Sequence, residues 1–355
     1  MKIEELEGKV QTVLGLVDAD QLGVTTCHEH ILWDMSNHFR EPGPAIDKGM
    51  ARQPVNLENL WWIRAHATGN IDNIRQTDEQ IAISEVLRFK IAGGGTIVEL
   101  TLDGISRDPV GLARVARATG LNIIMGSGYY TGYTHPDDMD KKTEEEITGE
   151  IVREITVGVR DTGVRSGIIG EIGCSVPLTQ NEKKVLRACA VAQRITGAPI
   201  NVHPSIDDKL VIKNIGILED AGADLRRVAI SHVDGFEFSL PTLRKILKAG
   251  CYVEYDGFGH SLYHLNYMGR VVNETSDINR IYDITRLINE GYINQILLGQ
   301  DLVFKCSLVT YGGYGYAHII DNLLPFMRAK GMTEQQIHAL LVENPQKFLQ
   351  FVPTR

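Results

Sequence analysis

The chain has 355 residues, 43% apolar and 23% charged, and a formal net charge of −9, the composition of an ordinary soluble globular protein. That acidic balance, with no basic stripe, argues against a nucleic-acid or anionic-membrane partner. No apolar run approaches the roughly 18–20 residues needed to span a bilayer, and the charged opening "MKIEELEGKV" lacks the apolar segment of a secretory leader. The five cysteines, at 27, 174, 189, 251 and 306, show no CxxC spacing. They read as free thiols in a reducing cytoplasm rather than as a disulfide framework or a zinc knuckle.

From the N-terminus, residues 8–23 predict a small hairpin, "KVQTVLG" followed by "ADQLGVT", before a first barrel-type strand over 24–32, "VTTCHEHIL". A long connection, 33–57, contains "FREPGPAIDKG" and leads towards an amphipathic helix over 78–92. Strand 95–102, helix 108–119 and strand 121–130 follow, with "TEEEITGE" at 143–150 reading as a solvated helix face. Then come strand 167–173, helix 181–196, and strands 199–205, 227–234, 251–258 and 295–302, with a second long connection over 256–278. Several helices end in glycine, where a C-cap wants it. Eight strands alternating with helices predict an α/β fold of the closed (β/α)8 TIM-barrel class with a short N-terminal hairpin, in one domain over 1–355. No GxGxxG follows the first strand, which argues against a dinucleotide-binding sheet.

In such barrels the chemistry sits at the C-terminal ends of the strands. Reading only those ends yields His28 and His30 on strand 1, Glu171 on strand 4, His203 on strand 5, His232 on strand 6 and Asp301 on strand 8. In a regular strand His28 and His30 share a face, about 7 Å apart, while Cys27 and Glu29 turn the other way. One such residue alone would read as a hydrogen-bonded structural group. Six converging on one mouth point to metal. Mixed nitrogen and oxygen donors suit zinc, with manganese, cobalt or iron as alternatives. Six donors exceed one tetrahedral ion and fit two divalent ions sharing a carboxylate.

The order HxH, a strand-4 bridging residue, His, His and Asp resembles the amidohydrolase superfamily. The run "VQTVLGLVDADQLGVTTCHEHI", "GIIGEIG" around strand 4, and the closing "LLGQD…YGGYGYAHI…ENPQKFL" are similar to the phosphotriesterase family, in its phosphotriesterase-related branch. This resemblance implies that His28, His30 and Asp301 hold a more buried ion, His203 and His232 a more exposed one, and that Glu171 bridges them. The founding phosphotriesterases bridge with a carbamylated lysine. Here no lysine occurs between Lys142 and Lys183, so that modification is ruled out at this position. A homodimer is also implied by the resemblance.

Activity expected on these grounds is binuclear metal-dependent hydrolysis of carboxylic esters or lactones, with weak phosphotriesterase activity. The alternative is an amidase cleaving N-acyl amino acids or N-acyl taurine-like amides. Asp301 is the expected general base. Tyr130, by resemblance to lactonases, is expected to donate to the substrate oxygen, with Tyr129 turned away. His260 and Lys305 are candidate substrate contacts, the latter towards an anionic group. His135 and His264 read as loop residues, and His38, His66, His318 and His338 as structural or surface ones. A mononuclear deaminase is disfavoured, because "HPSIDD" offers no glutamate after the strand-5 histidine. A binding protein that had lost its chemistry would lack an intact donor set.

Overall fold

The computed structural model describes residues 3–352 except Glu237, Ser261, Tyr263, Met268, Gly269 and Glu274, and for 264–267 and 270–273 the backbone only. Eight parallel strands form one sheet in sequence order: β1 (Val24–Glu29), β2 (Gly94–Glu99), β3 (Asn122–Ser127), β4 (Ile168–Gly173), β5 (Ile200–His203), β6 (Val228–Ile230), β7 (Tyr252–Tyr255) and β8 (Ile296–Leu298). Around it run α1 (Glu79–Ile91), α2 (Pro109–Thr119), α3 (Glu144–Thr156), α4 (Gln180–Thr196), α5 (Asp208–Asp220), α6 (Leu240–Lys248) and α7 (Asp277–Asn289). The arrangement is a (β/α)8 barrel. Among the described residues no helix is long and apolar enough to cross a membrane.

The sequence encodes the barrel through strict alternation. Val98, Ile124, Ile168, Ala229, Tyr252 and Leu297, one or more from each of six strands, pack together in the barrel interior. Their neighbours Ile97, Ile123, Ile169, Val228, Val253, Ile296 and Leu298 pack outward beneath the helices. The interior cluster is closed below by Val10 and Leu22 from the N-terminal segment and by Phe348 and Leu349 from the last helix. Helix starts follow the capping residues: Asp78, Thr143, Thr179 and Asp207 each accept amide hydrogen bonds with their side chains. The five cysteines are unpaired and buried.

Three differences from the expected elements are informative. The hairpin pairs Lys9–Thr12 with Gly15–Asp18, and 19–21 is a helical turn rather than a strand, because the Gln21 side chain accepts from the Asp18 amide at 3.0 Å. The β1–α1 connection is longer than expected: it runs to residue 78 and carries short helices Ala45–Met50 and Leu60–Ala65. The β7–α7 connection contains an antiparallel hairpin, His264–Tyr267 with Arg270–Asn273.

Two register shifts aim residues at the mouth. Between Thr26↔Ile97 and Glu29↔Glu99, both Cys27 and His28 stand against Val98 alone. This is a β-bulge, and it turns Cys27 into the barrel interior rather than away from the His28 side as alternation alone predicted. Between Ile169↔Ile200 and Ile172↔Val202, Gly170 and Glu171 stand against Asn201 alone. The second bulge needs room. A Cβ on Gly126 of β3 would lie 2.0 Å from the Gly170 carbonyl oxygen.

Gly126→Ala should therefore force β3 away from the β4 bulge, at a cost of about 1–3 kcal/mol. Thermal unfolding should show a lowered midpoint together with reduced metal uptake. An unchanged midpoint would show that the strands separate freely there.

Candidate metal centre

All six strand-end donors meet at the barrel mouth. Glu171, 1% exposed, sits at the middle. Its Oε1 lies 3.4 Å from His30 Nε2, while its Oε2 lies 2.9 Å from His203 Nδ1 and 3.2 Å from His232 Nε2. Oε1 thus faces His30, while Oε2 faces His203 and His232 and also lies 3.7 Å from His28 Nε2. Asp301 Oδ1 stands 3.1 Å from His30 Nε2 and 3.7 Å from His28 Nε2. His203 Nδ1 and His232 Nε2 approach to 2.8 Å. Donor atoms of His28, His30 and Asp301 lie within 4.8 Å of one another, as do those of His28, Glu171 and His232.

Two of these donors leave the sheet in unusual backbone conformations. His232 (φ 53°) and Asp301 (φ 47°) are left-handed non-glycine residues, a conformation tolerated when surrounding structure enforces it. For Asp301 the enforcement is visible: the amides of Gln300 and Asp301 both donate to the His28 carbonyl, at 3.2 and 3.0 Å. These bonds close β8 on β1. For the same reason strands end earlier than the sequence suggested, with His30, His232 and Asp301 just beyond them.

Buried partners fix which nitrogen three of the four histidines present. The Thr101 hydroxyl donates to Glu99 at 2.5 Å, so at 2.9 Å from His30 it accepts from Nδ1–H, leaving the Nε2 lone pair on the site side. His28 Nδ1 lies 3.1 Å from Glu254 Oε2 and 3.3 Å from Asp256 Oδ2, and His232 Nδ1 lies 3.0 Å from Asp256 Oδ1. Both rings therefore donate outward and turn bare Nε2 atoms inward. His28 Nε2 is buried with no hydrogen-bond partner. An orphaned imidazole nitrogen beside two carboxylates is what a metal ligand requires, and the donor set fits divalent ions.

Electrostatics agree. Burial opposes the charged form of His30, yet its hydrogen bonds to Asp301 and Glu171 push it up to about 9. His28 and His232 are likewise raised despite burial, by Glu171 and Asp256 for the first and mainly by Asp256 for the second. Burial would raise Glu171, but His28, His203 and His232 hold it well below the carboxylate range. The carboxylates thus favour protons on His28, His30 and His232, whereas burial, then the charge of His232, holds His203 below its ordinary value.

Above the cluster opens a cavity of about 70 Å³, lined by Tyr130, His260, His38, Thr68, Phe236 and Phe304 among others. The Tyr130 hydroxyl lies 3.4 Å from His203 Nδ1, whereas Tyr129 turns away to Glu150 and Lys142. His260 Nε2 meets the Asp301 carbonyl at 3.1 Å. Lys305, expected at the substrate, is elsewhere: its ammonium pairs with Asp72 at 2.6 Å and lines no part of this cavity. The His264 side chain lies outside the described residues. His38, read as structural, is a lining residue. The Asn37 amide donates to the Gly104 carbonyl at 2.8 Å, so its oxygen takes the His38 Nδ1 proton at 2.6 Å, and Nε2 faces the Tyr133 hydroxyl. Burial, then the charges of His203 and Arg40, holds His38 down at about 4.

Sequence reasoning also missed the supporting carboxylates Glu99, Glu254 and Asp256. Their signal was present: acids inside apolar strands, "GTIVELTL" and "CYVEYDGF", survive burial only with partners.

A (β/α)8 barrel with four histidines and two carboxylates at its mouth defines a metal-dependent hydrolase. The phosphotriesterase family profile matches residues 8–349, and the chain belongs to that family. It is 41% identical to the N-acetyltaurine hydrolase of Xenopus tropicalis over 351 residues, 98% of this chain and 100% of that protein. Among solved structures it is similar to a resiniferatoxin-binding protein from Rhodobacter sphaeroides, 34% identical with a TM-score of 0.93 over 97% of this chain and 95% of that one. It is also similar to the Escherichia coli phosphotriesterase homology protein, 27% identical with a TM-score of 0.77 over 93% and 100% of the two chains.

Two predictions follow from the partners of the rings. Asp256→Asn keeps the shape but weakens the hold on His232 and His28. Metal affinity should fall about 10–100-fold, measured by competition with a chromophoric chelator; an unchanged affinity would remove Asp256 from that role. In addition, metal loading at neutral pH should release protons. Histidines raised above their ordinary value are protonated there in the metal-free protein, and a ligand nitrogen must lose its proton. Calorimetric enthalpies should accordingly vary with buffer ionisation enthalpy, and affinity should fall with pH.

Proposed function

We propose that the chain is a binuclear metal-dependent amidase acting on short N-acyl derivatives of taurine-like amines or amino acids. The observation that carries this reading is the likeness to N-acetyltaurine hydrolase along the full length of both proteins, on a barrel that keeps every strand-end donor. The amide reading thereby takes precedence over the ester and lactone activity expected first from the sequence.

His28, His30 and Asp301 would hold the deeper ion, His203 and His232 the shallower one, with Glu171 offering an oxygen to each. Zinc suits these donors. Held by these residues, divalent ions would supply Lewis acidity and activate a water for attack. Asp301, held well below the carboxylate range by its hydrogen bond to His30 and by the charges of His232 and His28 against the effect of burial, remains ionised to accept the proton of the attacking water. It then returns that proton to the departing amine, which leaves as a neutral molecule. Tyr130 donates to the acyl oxygen, and His260, seated on the Asp301 carbonyl, faces the leaving-group side. Ile105, Phe236 and Phe304 wall a small cavity that suits a short acyl chain.

The test is a panel of N-acetyltaurine, N-acetyl amino acids, lactones, aryl esters and phosphotriesters on the metal-replete protein. N-acyl amides should give the highest kcat/KM. Faster turnover of lactones would restore the ester reading. Asp301→Asn should lower kcat by at least about a hundredfold, with metal content measured alongside. A wild-type rate with both ions bound would assign the proton transfer to another group.

A further inference from the structure

An N-acyl taurine or N-acyl amino acid carries an anion a few bonds beyond the amide, and a buried charge without a partner is costly. Among the described residues lining the cavity there is no lysine or arginine. Apart from five of the six metal donors, the polar side chains there are Asp256, Tyr130, His38, His260 and Thr68, and acidic side chains would repel an anion. A receptor for the distal charge has to come from the rim.

Among the described residues, Arg40 offers a cation there. Arg40 follows His38 by two residues in the β1–α1 connection, and its amide donates to the Thr68 carbonyl at 3.0 Å. His38 and Thr68 both line the cavity, so the backbone of Arg40 is anchored between two of its walls. The guanidinium is exposed, and among the described residues its side chain makes a long 3.4 Å contact to the neighbouring Phe39 carbonyl. Among the described side chains, other cations nearby have acidic partners: Arg52 with Glu41, Arg75 with Asp34, and Lys305 with Asp72. Arg64 donates to the Gly312 carbonyl. The charge of Arg40 also reaches inward far enough to disfavour the protonated form of buried His38, after burial itself and His203.

We propose that Arg40 receives the substrate's distal anion, a sulfonate or carboxylate, and so selects N-acyl derivatives of anionic amines. This rests on the amide reading above. Guanidinium suits the task, because its planar fork binds two anion oxygens at once and its charge persists at every physiological pH. His38 stays neutral, with Nδ1–H bound to Asn37 and Nε2 turned to Tyr133. It forms the wall beside Arg40 without competing for the anion.

The experiment measures binding and turnover separately on metal-replete protein. Calorimetry compares N-acetyltaurine and the carboxylate N-acetyl-β-alanine with N-propylacetamide, a neutral amide of similar size. Wild type should favour the anions, and Arg40→Gln should weaken both by at least about tenfold while leaving the neutral amide unchanged. Arg40→Lys should keep part of the preference, and the wild-type preference should shrink with added salt. In kinetics the loss should fall on KM rather than kcat. An anion preference that survives in Arg40→Gln places the receptor elsewhere, and an equal loss for charged and neutral ligands makes Arg40 structural. Should the protein bind the anions through Arg40 yet cleave no amide, the amidase reading fails and the receptor stands.

Discussion

A single buried carboxylate organises this protein. Glu171 lies at 1% exposure between two groups of donors, with one oxygen turned to His30 and the other to His203 and His232. An ionised carboxylate in that position is sustainable only when positive charge is arranged around it. The histidines provide that as protonated rings or as ligands of cations. Everything near the mouth follows from keeping the six donors aimed at one small volume, whichever form of charge fills it.

The aiming is done by backbone, and it constrains the fold well beyond the site. Regular alternation cannot deliver Glu171 and His28 at the required heights. Each strand inserts an extra residue, at Cys27–His28 and at Gly170–Glu171, and the second bulge leaves Gly126 no room for a side chain. Barrel closure is drawn into the same geometry, since the His28 carbonyl accepts the amides of both Gln300 and Asp301. Tyr316, from the glycine-rich segment after β8, donates to the His30 carbonyl at 2.6 Å. The network then passes outward: Asn201 and Ser231 donate to Glu254 at 2.7 and 2.9 Å, and Asp234, paired with Arg280, accepts the Gly257 amide at 3.0 Å. Thus α7 steadies the loop that carries Asp256.

Much of this was legible in the sequence, because the relevant signals are local. Alternation and caps mark eight strands and the helices between them, and the strand-end rule singles out the six donors without any pairing information. What escaped was non-local. A bulge is a property of two strands, so the inward turn of Cys27 could not be read from β1 alone. Whether Lys305 meets a substrate or Asp72 depends on a residue more than two hundred positions away. His38 looked structural because it lies outside the strand ends, and only the folding of the long β1–α1 connection brings it over the cavity.

That connection is where the barrel's general chemistry becomes particular. Four histidines and two carboxylates around two cations would attack esters, lactones, amides or phosphotriesters, since all present an electrophilic centre with an oxygen to polarise. Nothing in the strands distinguishes among them. Discrimination must come from groups that touch the rest of the substrate, and in barrels of this kind those groups lie on βα loops. The residues between β1 and α1 supply Met35, His38 and Thr68 to the cavity wall and tie the Arg40 backbone to Thr68. A protein of net charge −9 repels anionic ligands at long range, so a guanidinium at the entrance, the role proposed for Arg40, would have a disproportionate local effect. Selectivity and catalysis therefore rest on different segments here, the second on strands packed beneath the helices, the first on a loop that the Asn73 backbone and side chain tie to the segment after Asp301.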